Sequence, residues 1–123
     1  MRPFASEFQH LFLTAMPLVP EITVETLAEW RAEDKPHFVV DVREIHEYQT
    51  SNLGGKHIPM AFCLSRAEEL PQDRPVIFHC RSGQRAAAVV SAVIQKKGMT
   101  NVWNLKGGIL AWKEAMNPEW EVA

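Results

Sequence analysis

From residue 21 to residue 116 the chain alternates short apolar runs with segments of helical periodicity. Phe38-Val39-Val40 and Val76-Ile77-Phe78 are too short for helices and are bounded by turn residues, so both read as strands. Neither run alternates with polar residues, as expected for parallel strands covered on both faces. The second strand is predicted from His37 to Val42 and the fourth from Val76 to His79. Shorter strands are predicted at Ile22-Thr23, around His57-Ile58-Pro59 and at Asn101-Val102-Trp103. Between them, Thr23 is placed to cap a helix through Ala32, with Leu27 and Trp30 facing inward. A helical turn over Ile45–Gln49, a helix over Leu64–Leu70, a long helix ending near Lys97 and a last helix over Ile109–Met116 complete the pattern. Gly98 follows the long helix as its terminating glycine.

This order predicts an α/β fold: one domain with a mostly parallel five-stranded sheet, helices on both faces and right-handed crossovers. The domain is expected over residues 21–116, with a leader at 1–20 and a tail at 117–123. In the leader, Ser6 and Gln9 have capping-box spacing. Phe4, Phe8, Leu11, Phe12 and Ala15 then recur on one face, which predicts an extra amphipathic helix ending before Pro17.

Length and charge narrow the function classes. The 123 residues suit a single domain with a real core, and a net charge of −2 gives no reason to expect nucleic acid as a partner. No apolar run approaches the ~20 residues that span a bilayer, so no membrane association is expected. Glu7, Gln9 and His10 interrupt the plan of a signal peptide. Two cysteines, Cys63 and Cys80, do not make a secreted disulfide framework, and a cytoplasmic location is expected.

The candidate chemistry lies at Cys80. It sits on a strand-to-helix turn, beneath a helix N-terminus whose free N–H groups favour negative charge. Arg81 and Arg85 add positive charge at either end of that turn, and each feature favours an anionic sulfur. Arg81, Ser82, Gly83, Gln84 and Arg85 include no proline, so each can point an N–H inward at the sulfur and at an anionic group bound there. Gly83 permits the positive φ that such a nest requires.

HCRSGQR at 79–85, with VVDVRE at 39–44 and NLKGGILAW at 104–112, resembles the rhodanese-like sulfurtransferase domain over roughly residues 21–116. Gly54-Gly55-Lys56-His57-Ile58-Pro59 is similar to a further family segment, with Met60 where a second glycine is usual. That variant resembles the rhodanese domains appended to enzymes that activate ubiquitin-like sulfur carriers; the length is expected to leave no room for an adenylating domain. Cysteine phosphatases share a histidine-cysteine pair but separate cysteine from arginine by five residues, whereas four lie between Cys80 and Arg85. The shorter loop favours sulfur transfer over a small phosphatase or arsenate reductase.

The resemblance implies a sulfane sulfur carried as a Cys80 persulfide. It passes from an anionic donor such as thiosulfate to a cyanide or thiol acceptor, with protein donors or acceptors also open. A sulfur carrier or interaction module with little thiosulfate activity is the alternative. No cofactor or metal is expected. Asp41 and Arg43 lie at the end of the second strand, where open parallel sheets gather ligands. Asp41 is expected to brace the cradle, and Arg43 to bind substrate or to pair with Glu47 four residues on. Gly107-Gly108 are expected to let backbone pass close to the cradle. His79 is expected to be buried and hydrogen-bonded, facing away from Cys80. His46 and His57 are expected to face solvent, and Cys63 to be a small buried apolar residue.

Overall fold

The computed structural model describes residues 19–123. The helix expected in the leader lies outside the described residues. Five strands, β1 (Glu21–Ile22), β2 (Phe38–Asp41), β3 (Lys56–His57), β4 (Val76–His79) and β5 (Val102–Leu105), form one sheet in the order β1-β5-β4-β2-β3. Every pairing is parallel, and β4 is flanked by β2 and β5 in the centre. All four residues of β4 are buried, which is why its sequence shows no alternation.

Three helices lie between strands, α1 (Val24–Ala32), α2 (Ile45–Thr50) and α3 (Gln84–Lys97), and α4 (Gly108–Met116) follows β5. Two cores result. On one face Val40, Phe78 and Cys80 pack against Ala86, Val90 and Val93 of α3. On the other, Val39, Ile77 and Leu105 pack against Leu27 of α1 and Ile109 and Trp112 of α4. Alternation along β4 therefore puts Cys80 on the α3 face with Val76 and Phe78, and His79 on the opposite face with Ile77.

Local signals account for most boundaries. Thr23 caps α1 as expected, its Oγ1 accepting from the Thr26 N–H at 3.1 Å. Gly98 ends α3 at φ +66 and donates to the Ile94 carbonyl. Beyond shifts of a single residue, as at the ends of β1 and β2, three elements differ from expectation. The third strand is Lys56–His57; Ile58 and Met60 still donate to the Asp41 and Val42 carbonyls, while Pro59 between them faces the open edge and the chain passes into a 3₁₀ turn. The last strand runs from Val102 to Leu105, while the Asn101 side chain is spent on the carbonyls of Pro71 and Arg74.

The α-helix expected over Leu64–Leu70 is absent. In its place are 3₁₀ turns at Met60–Phe62 and Ala67–Glu69. Leu64, Ala67 and Leu70 turn inward at intervals of three, the period of a 3₁₀ helix, and Pro71 stops any extension.

The tail at 117–123 folds back onto the domain. Trp120 and Val122 pack on the α1–α4 core, and the Glu121 carbonyl accepts from the Ser51 hydroxyl at 2.6 Å.

Candidate active site

β4 delivers Cys80 to the carboxyl edge of the sheet, where its side chain is 1% exposed. The chain then turns through Gly83, whose φ of +107° lies where L side chains are strained. The turn points the Gly83 N–H at the Cys80 Sγ from 3.1 Å, and the Ala86 N–H reaches the same sulfur from 3.4 Å. Among the described residues these are the two amides at hydrogen-bond distance. Only one of them comes from the stretch Arg81–Arg85; the other belongs to the first turn of α3, whose N-terminal amides lack helical partners.

Amides turned inward leave the carbonyls of the same loop facing out. The Cys80 carbonyl accepts from Ile109 N–H at 2.9 Å and the Arg81 carbonyl from Leu110 N–H at 3.0 Å, both free amides of the α4 N-terminus. The Gly83 carbonyl accepts from the Asn104 side chain at 3.2 Å. This docking requires Gly108: a Cβ there would lie 2.5 Å from the carbonyl oxygens of Cys80 and Arg81. Of the Gly107-Gly108 pair expected to let backbone pass close to the cradle, Gly108 is the one at which a Cβ would meet the loop. A Cβ on Gly107 would instead meet Ala111.

The charged residues pair differently from expectation. Arg43 is fully buried and neither meets solvent nor pairs with Glu47. Its guanidinium grips Asp41 through two bonds of 2.9 and 2.7 Å, and it also donates to the Ser51 carbonyl. The i,i+4 rule fails because Arg43 precedes α2 and is not helical. Asp41 braces Arg43 and makes no bond to the cradle loop. Burial pushes its carboxyl up, but the Arg43 hydrogen bonds and the neighbouring His79 and Arg43 charges leave it below its ordinary value.

Glu47 takes Arg85 instead, in a bidentate pair of 3.0 and 2.9 Å across the loop. The Arg85 hydrogen bonds hold the Glu47 carboxyl down at about 2. Glu47 also accepts from the Glu44 N–H, closing a capping box on α2. Its place opposite Arg85 had no signal in the local sequence. Arg81 is exposed, and its Nε donates to the Ala123 carbonyl at 3.0 Å. Ser82 and Gln84, both exposed, line a cleft of about 520 Å³ with Gly83, Asn104, Lys106 and Glu21.

His79 is fully buried as expected, but neither ring nitrogen has a hydrogen-bond partner; Asp41 Oδ2 is 3.7 Å away. Burial lowers the ring to about 4, against the opposing pull of the Asp41 charge. His57 is not solvent-facing: it is half-buried, stacked on Tyr48 and 2.6 Å from the Arg43 carbonyl. His46 is exposed. Cys63 is buried, with its thiol pushed up to about 11 by burial. Among the described residues no cluster of three His, Cys, Asp or Glu could hold a metal ion, and no helix is long and apolar enough to cross a membrane.

A parallel five-stranded sheet with a cysteine cradled by amides at its carboxyl edge can stabilise an anionic sulfur and a group attached to it. Residues 23–115 match the rhodanese-like domain, and the chain belongs to that family. A sulfurtransferase of Allochromatium vinosum is 34% identical over 96 residues, covering 77% of this chain and 89% of that protein. The probable adenylyltransferase/sulfurtransferase MoeZ of Mycobacterium tuberculosis is 31% identical over 101 residues, or 80% of this chain. The chain spans only about a quarter (26%) of MoeZ's length. Among solved structures, the thiosulfate sulfurtransferase from Pseudomonas aeruginosa superposes with a TM-score of 0.74 at 27% identity, over 82% of this chain and 20% of that one.

Two outcomes follow from this geometry. Gly108→Ala should destabilise the protein by roughly 2 kcal/mol or more, from the left-handed φ and the backbone clash together. Urea unfolding measures it, and a loss of a few tenths would mean that the α4–cradle contact is loose. The second outcome concerns His79, which stays neutral in the fold down to about pH 4 while an unfolded histidine takes a proton near 6.5. Its contribution is therefore fully present above 6.5 and lost as pH falls towards 4. Unfolding free energies of the wild type should decline across that window, and His79→Gln should flatten the decline.

Proposed function

We propose that the protein moves a sulfane sulfur through a persulfide on Cys80. The observation that supports this most directly is the Cys80 sulfur itself, buried and facing the Gly83 and Ala86 amides inside a four-residue Cys-to-Arg loop. With thiosulfate as donor, the Cys80 thiolate attacks the outer sulfur. A new S–S bond forms to Cys80, the donor's S–S bond breaks, and sulfite leaves with the electron pair. The persulfide keeps its charge on the terminal sulfur, where inward amides stabilise it. A thiophilic acceptor, cyanide in an assay or a thiol in the cell, then takes that sulfur and regenerates the thiolate. Two displacements through one covalent intermediate give ping-pong kinetics.

In this reading the loop amides bind the transferred sulfur. Arg81, Ser82, Gly83, Gln84 and Arg85 shape the mouth, while Asp41 and Arg43 stiffen the end of β2 beside it. A free reactive thiol of this kind suits a reducing compartment such as the cytoplasm.

One observation favours a second reading, a sulfur carrier loaded by a partner and poor with free thiosulfate. Arg85 is neutralised by Glu47, so of the two loop guanidiniums only Arg81, exposed and bonded through its Nε to the Ala123 carbonyl, is left to meet a small dianion.

Intact mass after thiosulfate treatment tests the chemistry. The wild type should gain one sulfur atom that cyanide removes. Cys80→Ser should gain none while keeping its fold, and Cys63→Ser should load as the wild type does. Loading that survives in Cys80→Ser and vanishes in Cys63→Ser would reverse the assignment.

A further inference from the structure

We infer that the tail at 117–123 tunes the site against small dianions: the Ala123 main-chain oxygen occupies Arg81 Nε, and an anion must compete with the tail for that guanidinium. The inference rests on the sulfurtransferase reading above and adds to it what controls access to its one unmatched loop cation. The tail lies beyond the stretch that matches the family. α4 starts against the loop, where Ile109 and Leu110 donate to the Cys80 and Arg81 carbonyls, and its nine residues carry the chain about 13 Å away. The tail brings it back. Asn117 Oδ1 accepts from Trp112 Nε1 at 3.0 Å and fixes the exit from the helix, and Trp120 and Val122 then pack on the α1–α4 core. The Glu121 carbonyl accepts from the Ser51 hydroxyl, and the Ala123 oxygen accepts from Arg81 Nε at 3.0 Å. Ser51 is itself anchored, because its own carbonyl accepts from the buried Arg43 at 2.7 Å. The returning segment is thus seated at two points, on the residue that Arg43 holds and on the cysteine loop.

The contact takes the donor that matters for anions. Arg43 is matched by Asp41 and Arg85 by Glu47, whereas among the described residues no Asp or Glu side chain pairs with Arg81. Asp41, Glu69 and Asp73 are each gripped by an arginine through Nε and Nη2 together, the side-on fork that holds two oxygens at once. With Nε spent on Ala123, that fork is closed on Arg81. Its Nη pair stays open, so the tail weakens anion binding without abolishing it. Glu119 and Glu121 are exposed on the same segment and add repulsion, which the exposed Lys106 in the cleft beside Ser82 opposes. No helix or strand holds residues 117–123, and Glu121 and Ala123 are exposed, so this end lifts without unfolding the domain. Lifting and binding are linked: the lifted tail favours the dianion by the factor by which the dianion favours the lifted tail.

The test separates binding from chemistry by titrating thiosulfate into the full-length Cys80→Ser protein, which keeps the loop and lacks the nucleophile, with NMR shifts as the readout. Ser51→Ala and Val122→Ser are then added together; the first removes the hydroxyl that seats Glu121 and leaves the Ser51 carbonyl to Arg43. The loosened tail should lower the dissociation constant for thiosulfate about fivefold, the worth of one exposed charged contact. Adding Arg81→Gln should erase that gain, because the tail then has no guanidinium to withhold. If the pair of substitutions lowers the thermal midpoint, Ser51→Ala alone, which leaves the packing of Val122 intact, should still tighten binding. An unchanged constant, a gain that survives in Arg81→Gln, or no binding with the tail loosened would overturn the inference. A weaker constant would overturn it too, since the tail would then hold Arg81 in place for the anion. Intact mass of the wild type after thiosulfate decides the other matter: failure to load Cys80 removes the sulfurtransferase reading, whatever the titration shows.

Discussion

The N-terminus of α4 sits directly on the outward face of the cysteine loop, and the site depends on that contact. A loop that turns amides inward around a sulfur must expose carbonyls on its other side, and buried carbonyls need donors. The first turn of a helix has unpaired N–H groups that need acceptors. The two deficits cancel where Ile109 and Leu110 donate to Cys80 and Arg81. Gly108 allows the backbones to meet, and Asn104 from β5 adds a second donor to the Gly83 carbonyl, which already accepts from the Ala87 N–H of α3. The sulfur's surroundings are thus held from behind by the last βα unit of the fold.

Charge in this site is arranged for architecture. Each arginine that approaches the edge from below or beside the loop has a carboxylate of its own: Arg43 has Asp41, and Arg85 has Glu47. A bidentate guanidinium–carboxylate pair fixes orientation as well as charge. Glu47 ties α2 to the first turn of α3, next to the Ala86 amide that faces the sulfur. Asp41 and Arg43 do the corresponding work at the end of β2. What remains to stabilise an anionic sulfur is backbone: two aligned amides and the start of α3.

Much of this was legible in the sequence. The uninterrupted apolar runs gave the buried parallel strands, and Thr23, Gly83 and Gly98 marked turns and helix ends through chemistry that acts within a few residues. The position of Cys80 at a strand-to-helix turn followed from the same local signals. Long-range pairings were not legible. Arg85 and Glu47 are 38 residues apart, and only the packing of α2 beside α3 brings them together. Arg43 and Glu47 had helical spacing without a helix to realise it. The Leu64–Leu70 segment misled because its three-residue apolar spacing is shared by α- and 3₁₀-helical faces, and only the proline beyond it separates them. The leader helix lies outside the described residues.

A site made from backbone has a particular relation to sequence. Side chains at Arg81, Ser82 and Gln84 point away from the sulfur's donors and can vary without moving an amide, whereas Gly83 and Gly108 set where those amides are. Gly83 supplies a φ that other residues reach only under strain, and Gly108 supplies the absence of a Cβ between two backbones. The number of residues between Cys80 and Arg85 fixes the ring's size in the same way, because the Glu47 pair anchors one end and β4 anchors the other. With both ends held, the residues between them set where the Gly83 and Ala86 amides stand around the sulfur.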